Sequence, residues 1–501
     1  MIGKRDAAAE LVHFAARTRF EDLPPETVTA TRRLVLDTLG AALAGRDAAG
    51  VGELRRIVTG WGGRPEARLW GSEESVPAPL AALVNATAAR ALELDDVHEV
   101  ALVHATATML PVALAAAERR GGGSGREVLA AVAVGIEVCV RLALATDMSL
   151  GGEHHVRRVM SLTTQAATLA GSLVAARLMG LPEHQQADAF GVAYSAMPGN
   201  LQMLLEGSRV VRVMQGVSAQ TALQSAELAA AGIDGPRQTL EGAAGFYAAY
   251  HRGRYDRDRL LGGLGATFEV PNVSIKPYAC CKAGHTAISA AVEAARPLAR
   301  GSGVDGIRAD DVERIVVHVA GKDTWDILVD PPSRKADPDE LGAAGGVALA
   351  QFSLPFMVAS AVLRGGLTVA DLTPVARNTP ALRVLLSRIE VVLDDTTRGV
   401  AQLPEPGCVE IHLRDGRSAV GRCDRVLGHP AHPMTDAQVV AKFRANAQHL
   451  GEDRVGRIVD TVLGAEGLDD ARSLVGMLAR PGTTPATRTD PRAEAGSGGL
   501  G

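Results

Sequence analysis

A succession of apolar segments at helical spacing dominates the first half of this chain. Between Pro25 and Ala44 the residues Val28, Leu34, Val35, Leu39 and Leu43 recur near the helical period, with Pro24 and Pro25 opening the segment and Gly45 closing it. Leu80–Leu92, Thr106–Glu118, Glu127–Ala145, Thr163–Met179, Gln185–Ser195 and Ser218–Ala231 repeat the pattern. Helices of this kind bury their faces against one another, so an essentially all-α unit is expected up to about residue 250. Aromatic residues are only 3% of the chain while alanine and glycine abound, which favours closely packed helices over a β-sandwich built on large rings.

The texture changes past about residue 270. Val312–Ala320 alternates and is β-branched, Ile389–Leu393 reads as a second strand, and Cys408–Leu413 with Ser418–Arg422 flanks Asp415-Gly416, a strong hairpin signal. Leu341–Leu363 reads as helix interrupted at Pro355, and Asp436–Leu478 returns to amphipathic helix. The expected fold is mainly α: a large all-helical domain formed by both ends of the chain (1–268 and 430–480), with an inserted smaller α+β lid domain over 269–429. Residues 481–501 are Pro/Thr/Gly/Ala-rich without apolar periodicity and are expected to be disordered.

Charge and cysteine usage narrow the partners. A net charge of -5 over 501 residues offers no basic face for nucleic acid. The five cysteines (Cys139, Cys280, Cys281, Cys408, Cys423) form no CxxC pair, so neither a disulfide framework nor a zinc site is expected, and a reducing cytoplasm is. Met1–Phe20 lacks a signal-peptide apolar run and no 18-residue uncharged span occurs, so no membrane partner is expected. The glycine-rich stretch Gly121–Gly125 is a linker, because no GK[ST] follows it.

Three clusters carry chemistry. Ile275–His285 packs Lys276, Tyr278, Cys280, Cys281, Lys282 and His285 into eleven residues before an apolar helix, Thr286–Ala295. Pro277 pushes Lys276 towards extended geometry, so one turn can present Lys276 to a carboxylate and Cys281 or His285 to a proton; the alternative is a polar surface loop. Glu93, Asp95, Asp96, His98 and His104 gather at a helix C-terminus, where the dipole disfavours carboxylates and some other interaction must hold them; the alternative is a solvated acidic turn. Arg209 and Arg212, spaced i, i+3, can clamp a carboxylate or form surface ion pairs with Glu206 or elsewhere. Asp37 reads as a satisfied core carboxylate, and His154, His155, Arg157 and Arg158 as a mobile basic loop lacking helical metal-pair spacing.

From about Ala9 to Leu478 the chain resembles the MmgE/PrpD family of 2-methylcitrate dehydratases, cis-aconitate decarboxylases and iminodisuccinate epimerases. The resemblance runs through Leu36–Gly40, Ala91–His98 with His104, Gly235-Pro236 followed by Leu240–Gly242 and Gly245-Phe246, Lys276–Cys281 with His285, and Phe352–Pro355. It implies a homodimer of two-domain subunits with cofactor-independent, metal-free chemistry on a small di- or tricarboxylate in the cleft between domains. The family pattern has an aspartate where Glu93 stands, a threonine at Val97, a proline at Ala105, a histidine at Ser161, a lysine at Val211 and, in the decarboxylases, a histidine at Cys281.

The chemistry such substrates need is a base, an acid and cations for carboxylates. His104 is expected as the principal base or acid with Glu93 or Asp95 orienting it, and Cys281 or His285 as the second proton-transfer group. Lys276, Arg212 and Arg209 are expected to bind substrate carboxylates, with Asp96 and His98 beside them. A lyase is the first reading, with an epimerase or isomerase, or a catalytically silent carboxylate binder, as alternatives.

Overall fold

The computed structural model describes residues 5–146, 160–205, 208–299, 307–329, 337–343, 345–393 and 405–479. The expected basic loop at His154–Arg158, Glu206 and the expected disordered tail lie outside the described residues. The chain is mainly helical with only small sheets, as its periodicity predicts.

The helices that position the site are α1 (Ala7–Arg17), α2 (Pro25–Gly45), α3 (Ala78–Arg90), α4 (Thr106–Arg120), α5 (Gly125–Leu144), α6 (Leu162–Leu178), α7 (Glu183–Ala196) and α8 (Val210–Ala230). Their apolar faces form one core with Met434–Leu478 from the other end of the chain, which contributes Val439 and Phe443 among others. Small residues set the spacing in this core. The helix expected over Ser218–Ala231 begins earlier, at Val210, and runs through Gly216 without interruption. A Cβ at Gly216 would lie 2.2 Å from the Leu83 carbonyl oxygen and 2.2 Å from Thr87 Oγ1, so the glycine lets α8 pack backbone-close on α3.

A second core is built from α9 (His285–Ala299), α10 (Leu354–Arg364) and a four-stranded sheet of β1 (Val312–Val319), β2 (Ile389–Leu393), β3 (Gly407–Leu413) and β4 (Ser418–Cys423). The strand order is β2-β1-β3-β4, with β1 and β2 parallel and the other pairs antiparallel. The sheet packs against α9 through β3 and β4. Pro355 does not interrupt a helix as expected but begins one. It stands in the first turn of α10, where no intrahelical N–H is needed, and the Ser353 hydroxyl caps the Phe356 N–H at 3.3 Å. The stretch 341–353 accordingly divides among shorter helices, Pro338–Gly342 and Val347–Ala350.

The two cores meet along one strip of chain. Ala91, Ala101 and Val103 belong to the first core, whereas Leu92 and Leu94, together with Ala41, belong to the second. An isolated antiparallel bridge, Val97 to Ser274, ties this strip to the lead-in of the lysine-rich loop. Arg212 spans the boundary as well, donating to the Ala49 carbonyl at 3.2 Å and to Gln351 Oε1 at 3.3 Å. Among the described residues no helix is long and apolar enough to cross a membrane.

Candidate active site

The site begins where α3 ends. Arg90 closes that helix, and the chain then enters a loop with two non-glycine residues in the left-handed region, Glu93 at φ 52° and Leu102 at φ 56°. Such backbone costs roughly 1–3 kcal/mol per residue and persists only where surroundings over-determine it. At Glu93 they do. Lys276 Nζ donates to the Glu93 carbonyl and to Glu93 Oε2, each at 3.2 Å, and Arg90 ion-pairs with the other carboxylate oxygen. Asp95 joins the cluster at 3.4 Å from Arg90 and 3.7 Å from Lys276. All four side chains are buried. These two cations are the interaction that the helix dipole demands for carboxylates at this position. Burial opposes ionisation of Glu93 and Asp95, but Arg90 and Lys276 outweigh it, and the neighbouring His104 helps; both carboxyls are held below their ordinary range.

His104 stands just before α4 with its Nδ1 2.7 Å from the Asp96 carbonyl oxygen and 3.0 Å from Asp95 Oδ2. Both neighbours are acceptors, so Nδ1 carries the proton and the lone pair lies on Nε2. Burial, then the charge of Arg90, lowers the imidazole pKa despite Asp95, so His104 is neutral in the ordinary range. Gln215 from α8 fixes the approach to α4 by donating to the His104 carbonyl at 3.2 Å and to Thr108.

His104 lines a cavity of about 210 Å³. Arg90, Glu93, Glu99, Gln215, Cys281 and Lys282 line it as well. Lys282 Nζ lies 3.1 Å from Glu99 Oε1, and Glu99 also accepts from the Ser274 hydroxyl and lies 3.5 Å from His429 Nε2. Burial lowers the Lys282 pKa, and Glu99 counters it. Met160, Leu162, Leu201, Met203, Val211 and Phe352 are among its apolar lining residues. Ser161 and Val211, where the family pattern carries a histidine and a lysine, are both on the lining.

The structure thus brings His104, Glu93 and Cys281 to one cavity, with Asp95 behind His104. It does not bring the other expected residues to the lining. Lys276 is fully buried behind Glu93 and Asp95. Asp96 accepts from the Thr106 hydroxyl at 3.0 Å, and burial plus the charges of Asp95 and Asp37 push its pKa up to about 7. His98 accepts the Ala101 N–H at 3.0 Å through Nδ1 and meets Glu269 at 3.3 Å through Nε2, which makes it a loop brace. His285 is fully buried, donates from Nε2 to the Cys280 carbonyl at 3.2 Å, and is pushed well below the ordinary imidazole pKa by burial and by Lys282 and Lys276. Arg212 bridges the two cores. Arg209 sits in solvent 3.9 Å from Glu53, the surface-pair alternative. Asp37 pairs with Lys442 at 2.5 Å in the core.

Sequence reasoning missed Arg90, Glu99, Lys282 and Gln215 on the lining. Arg90 had a signal, its i, i+3 spacing to Glu93, and Lys282 stood next to Cys281. Glu99 and Gln215 had none, because their partners come from distant segments. Among the described residues no group of three or more His, Cys, Asp or Glu side chains is arranged to hold a metal ion.

Comparison with known proteins gives a consistent picture over the whole chain. Residues 9–258 match the MmgE/PrpD N-terminal domain and residues 278–465 the MmgE/PrpD C-terminal domain. The chain is 25% identical over 498 residues to the cis-aconitate decarboxylase of Aspergillus terreus (strain NIH 2624 / FGSC A1156), covering 96% of this chain and 98% of that one. It is 25% identical over 481 residues to the Homo sapiens cis-aconitate decarboxylase, covering 94% of each. It is 23% identical over 504 residues to the cis-aconitate decarboxylase-like protein oryM of Aspergillus oryzae (strain ATCC 42149 / RIB 40), covering 94% of this chain and 97% of that one. With both domain profiles matched in order around a cavity that joins the two cores, the chain belongs to the MmgE/PrpD family.

Proposed function

We propose that the protein is a lyase that acts on a small di- or tricarboxylic acid by cofactor-independent proton transfer at His104, with decarboxylation as the favoured reaction. The observation that carries this reading is a neutral imidazole whose Nδ1–H is pinned by Asp95 and the Asp96 carbonyl while the ring lines a cavity shared with Arg90 and Lys282. A carboxylate of the substrate pairs with Lys282 and Arg90, which also stabilise charge developing towards it. In a decarboxylation the electrons of the breaking C–C bond stay on the α-carbon, carbon dioxide leaves, and the carbanion is quenched by a proton that the free Nε2 of His104 first takes up from solvent, forming the imidazolium for that turnover. In a dehydration the free Nε2 takes the α-proton, and the imidazolium so formed returns a proton to the departing hydroxyl, which leaves as water. In either, ionised Asp95 stabilises the imidazolium. Cys281, on the same lining, is the second proton-transfer group that an epimerisation would need.

The family relationship and the named relatives support the lyase reading; a homodimer, a cytoplasmic setting, metal independence and closure of the 269–429 unit over the site are part of the same proposal. A screen of hydroxy- and unsaturated di- and tricarboxylates in deuterium oxide, read by mass spectrometry, tests it. Loss of carbon dioxide with one deuterium incorporated is the expected result; wash-in with otherwise unchanged mass means epimerisation. His104→Ala should lower turnover about 10²–10⁴-fold. Retention of half the wild-type rate would sink the assignment. Chelator treatment should leave turnover unchanged.

A further inference from the structure

Helix α8 packs against α3, α4, α6 and α7 and turns its remaining side outward. That side is unusual for a surface helix. Val210, Val213, Val217, Gln220, Gln224 and Leu228 follow one another at helical spacing and are all at least partly exposed, with Val210 and Leu228 each 42% exposed at its two ends. A helix that faces water normally carries charged side chains there, and this stripe carries none. The two charged residues of α8 lie elsewhere: Arg212 is buried, and Glu227 stands at the edge, paired with Arg119 at 2.6 Å. The helix Val51–Trp61 adds to the exposed apolar surface. Its outer face begins at Glu53, which meets Arg209 at 3.9 Å beside Val210, and continues through Ile57 to Trp61, which is 64% exposed.

We infer that a second copy of the chain docks on this stripe, the two α8 helices packing antiparallel about a two-fold axis level with Ala219. The inference deepens the homodimer part of the proposal above and rests on it. A two-fold interface lays one patch on itself, and this stripe reads alike from both ends. With the axis at Ala219, Val210 meets Leu228 of the partner subunit, and Val217 meets Thr221 of the partner subunit, so uncharged side chains face uncharged side chains throughout. The antiparallel arrangement opposes the two helix dipoles. It also brings Arg209, whose side chain is 54% exposed, to the end where Glu227 of the partner subunit stands. A shallow crossing of about 20° keeps two such helices in contact over about 27 Å, the rise from Val210 to Leu228. Ile57 and Trp61 widen the apolar face towards the roughly 1,200–2,000 Å² that a stable interface buries. Val211 and Gln215 of the same helix line the cavity, so this contact braces one of its walls.

Sedimentation velocity of the full-length protein over a range of concentrations tests the pairing. The wild type should sediment as a dimer. Val210→Lys and Leu228→Glu each set a charge against an apolar side chain of the second copy, and each should raise the dimer dissociation constant at least about tenfold. The double variant places the two opposite charges face to face and should return to within about threefold of the wild type. Both side chains are exposed, so circular dichroism should show the helical content unchanged. Thr221→Arg, which brings like charges together near the axis, repeats the test at a third position and should also weaken the dimer. A wild type that stays monomeric overturns the homodimer and this interface together. A dimer indifferent to the single substitutions, or one weakened by them that the double variant does not restore, overturns the interface and leaves the homodimer standing.

Discussion

Two lysines six positions apart on one loop, Lys276 and Lys282, meet carboxylates in different settings. Lys276 is fully buried and faces Glu93, Asp95 and a backbone carbonyl, behind Arg90 and Glu93, which reach the cavity lining. Lys282 is also buried but lies on the cavity lining, with Glu99 as its partner. The difference teaches that a buried cation becomes a ligand only when its surroundings leave one side open. In the first cluster the charges hold each other and a strained backbone. In the second, a substrate carboxylate can share or displace the Glu99 contact.

The sharpest way to break this contrast is Lys276→Met. Removing one partner of a buried charge cluster typically costs about 3–5 kcal/mol, so the variant should show a large drop in urea midpoint. A folded variant with near-normal stability and a raised KM would instead make Lys276 a substrate ligand. Lys282→Met should do the reverse: a smaller stability loss, because Glu99 keeps Ser274 and His429, and a KM raised about 10–100-fold, as expected for about 1.5–3 kcal/mol from a hydrogen bond to a charged group. Equal effects on stability from the two substitutions would erase the distinction.

Asp96 sharpens the comparison from the side of pH, because it is a buried carboxyl of the same loop with no cation of its own to hold it ionised. Its pKa is raised to about 7 from an ordinary 3.8. A raised folded-state pKa means that its contribution to stability is complete below about pH 4 and is lost as pH rises through about 7, at roughly 1.4 kcal/mol for each pH unit climbed between those two values. Denaturation of wild type and Asp96→Asn at pH 5 and pH 8 should therefore show the wild type losing more stability than the variant between the two. Parallel losses would mean that Asp96 stays ionised throughout. The smallest effect belongs to Arg209→Ala, whose side chain is 54% exposed beside Glu53. Stability within about 0.5 kcal/mol and an unchanged KM are expected; a tenfold rise in KM would bring Arg209 back to the site.

The fold was legible in the sequence wherever a local pattern governs it: helix periods, capping prolines, the Asp415-Gly416 hairpin. Pro355 misled because its local meaning, a break, was overridden by its place in the first turn of a helix, and the helix expected from Ser218 starts at Val210, with Gly216 packed backbone-close on α3. Within the site, the clustering of His104 with Glu93 and Asp95 was readable from a short stretch. The roles of Lys276 and Lys282 were not. Lys276 follows the Val97–Ser274 bridge on the extended lead-in whereas Lys282 opens the 3-10 turn Lys282–Gly284, and their partners Glu93 and Glu99 come from a distant segment.

The strip from Ala91 to Val103 crosses from one core to the other and back, with Leu92 and Leu94 anchored in one and Ala91, Ala101 and Val103 in the other. Asp95 therefore follows an anchor in one core, Leu94, while His104 follows an anchor in the other, Val103. A small rotation of one core on the other would leave every helix intact yet change the distance from Asp95 to the imidazole it steadies. Heat, mild denaturant or pressure should accordingly silence the enzyme well before its circular dichroism changes, and the gap between those two transitions measures how tightly the halves are clamped.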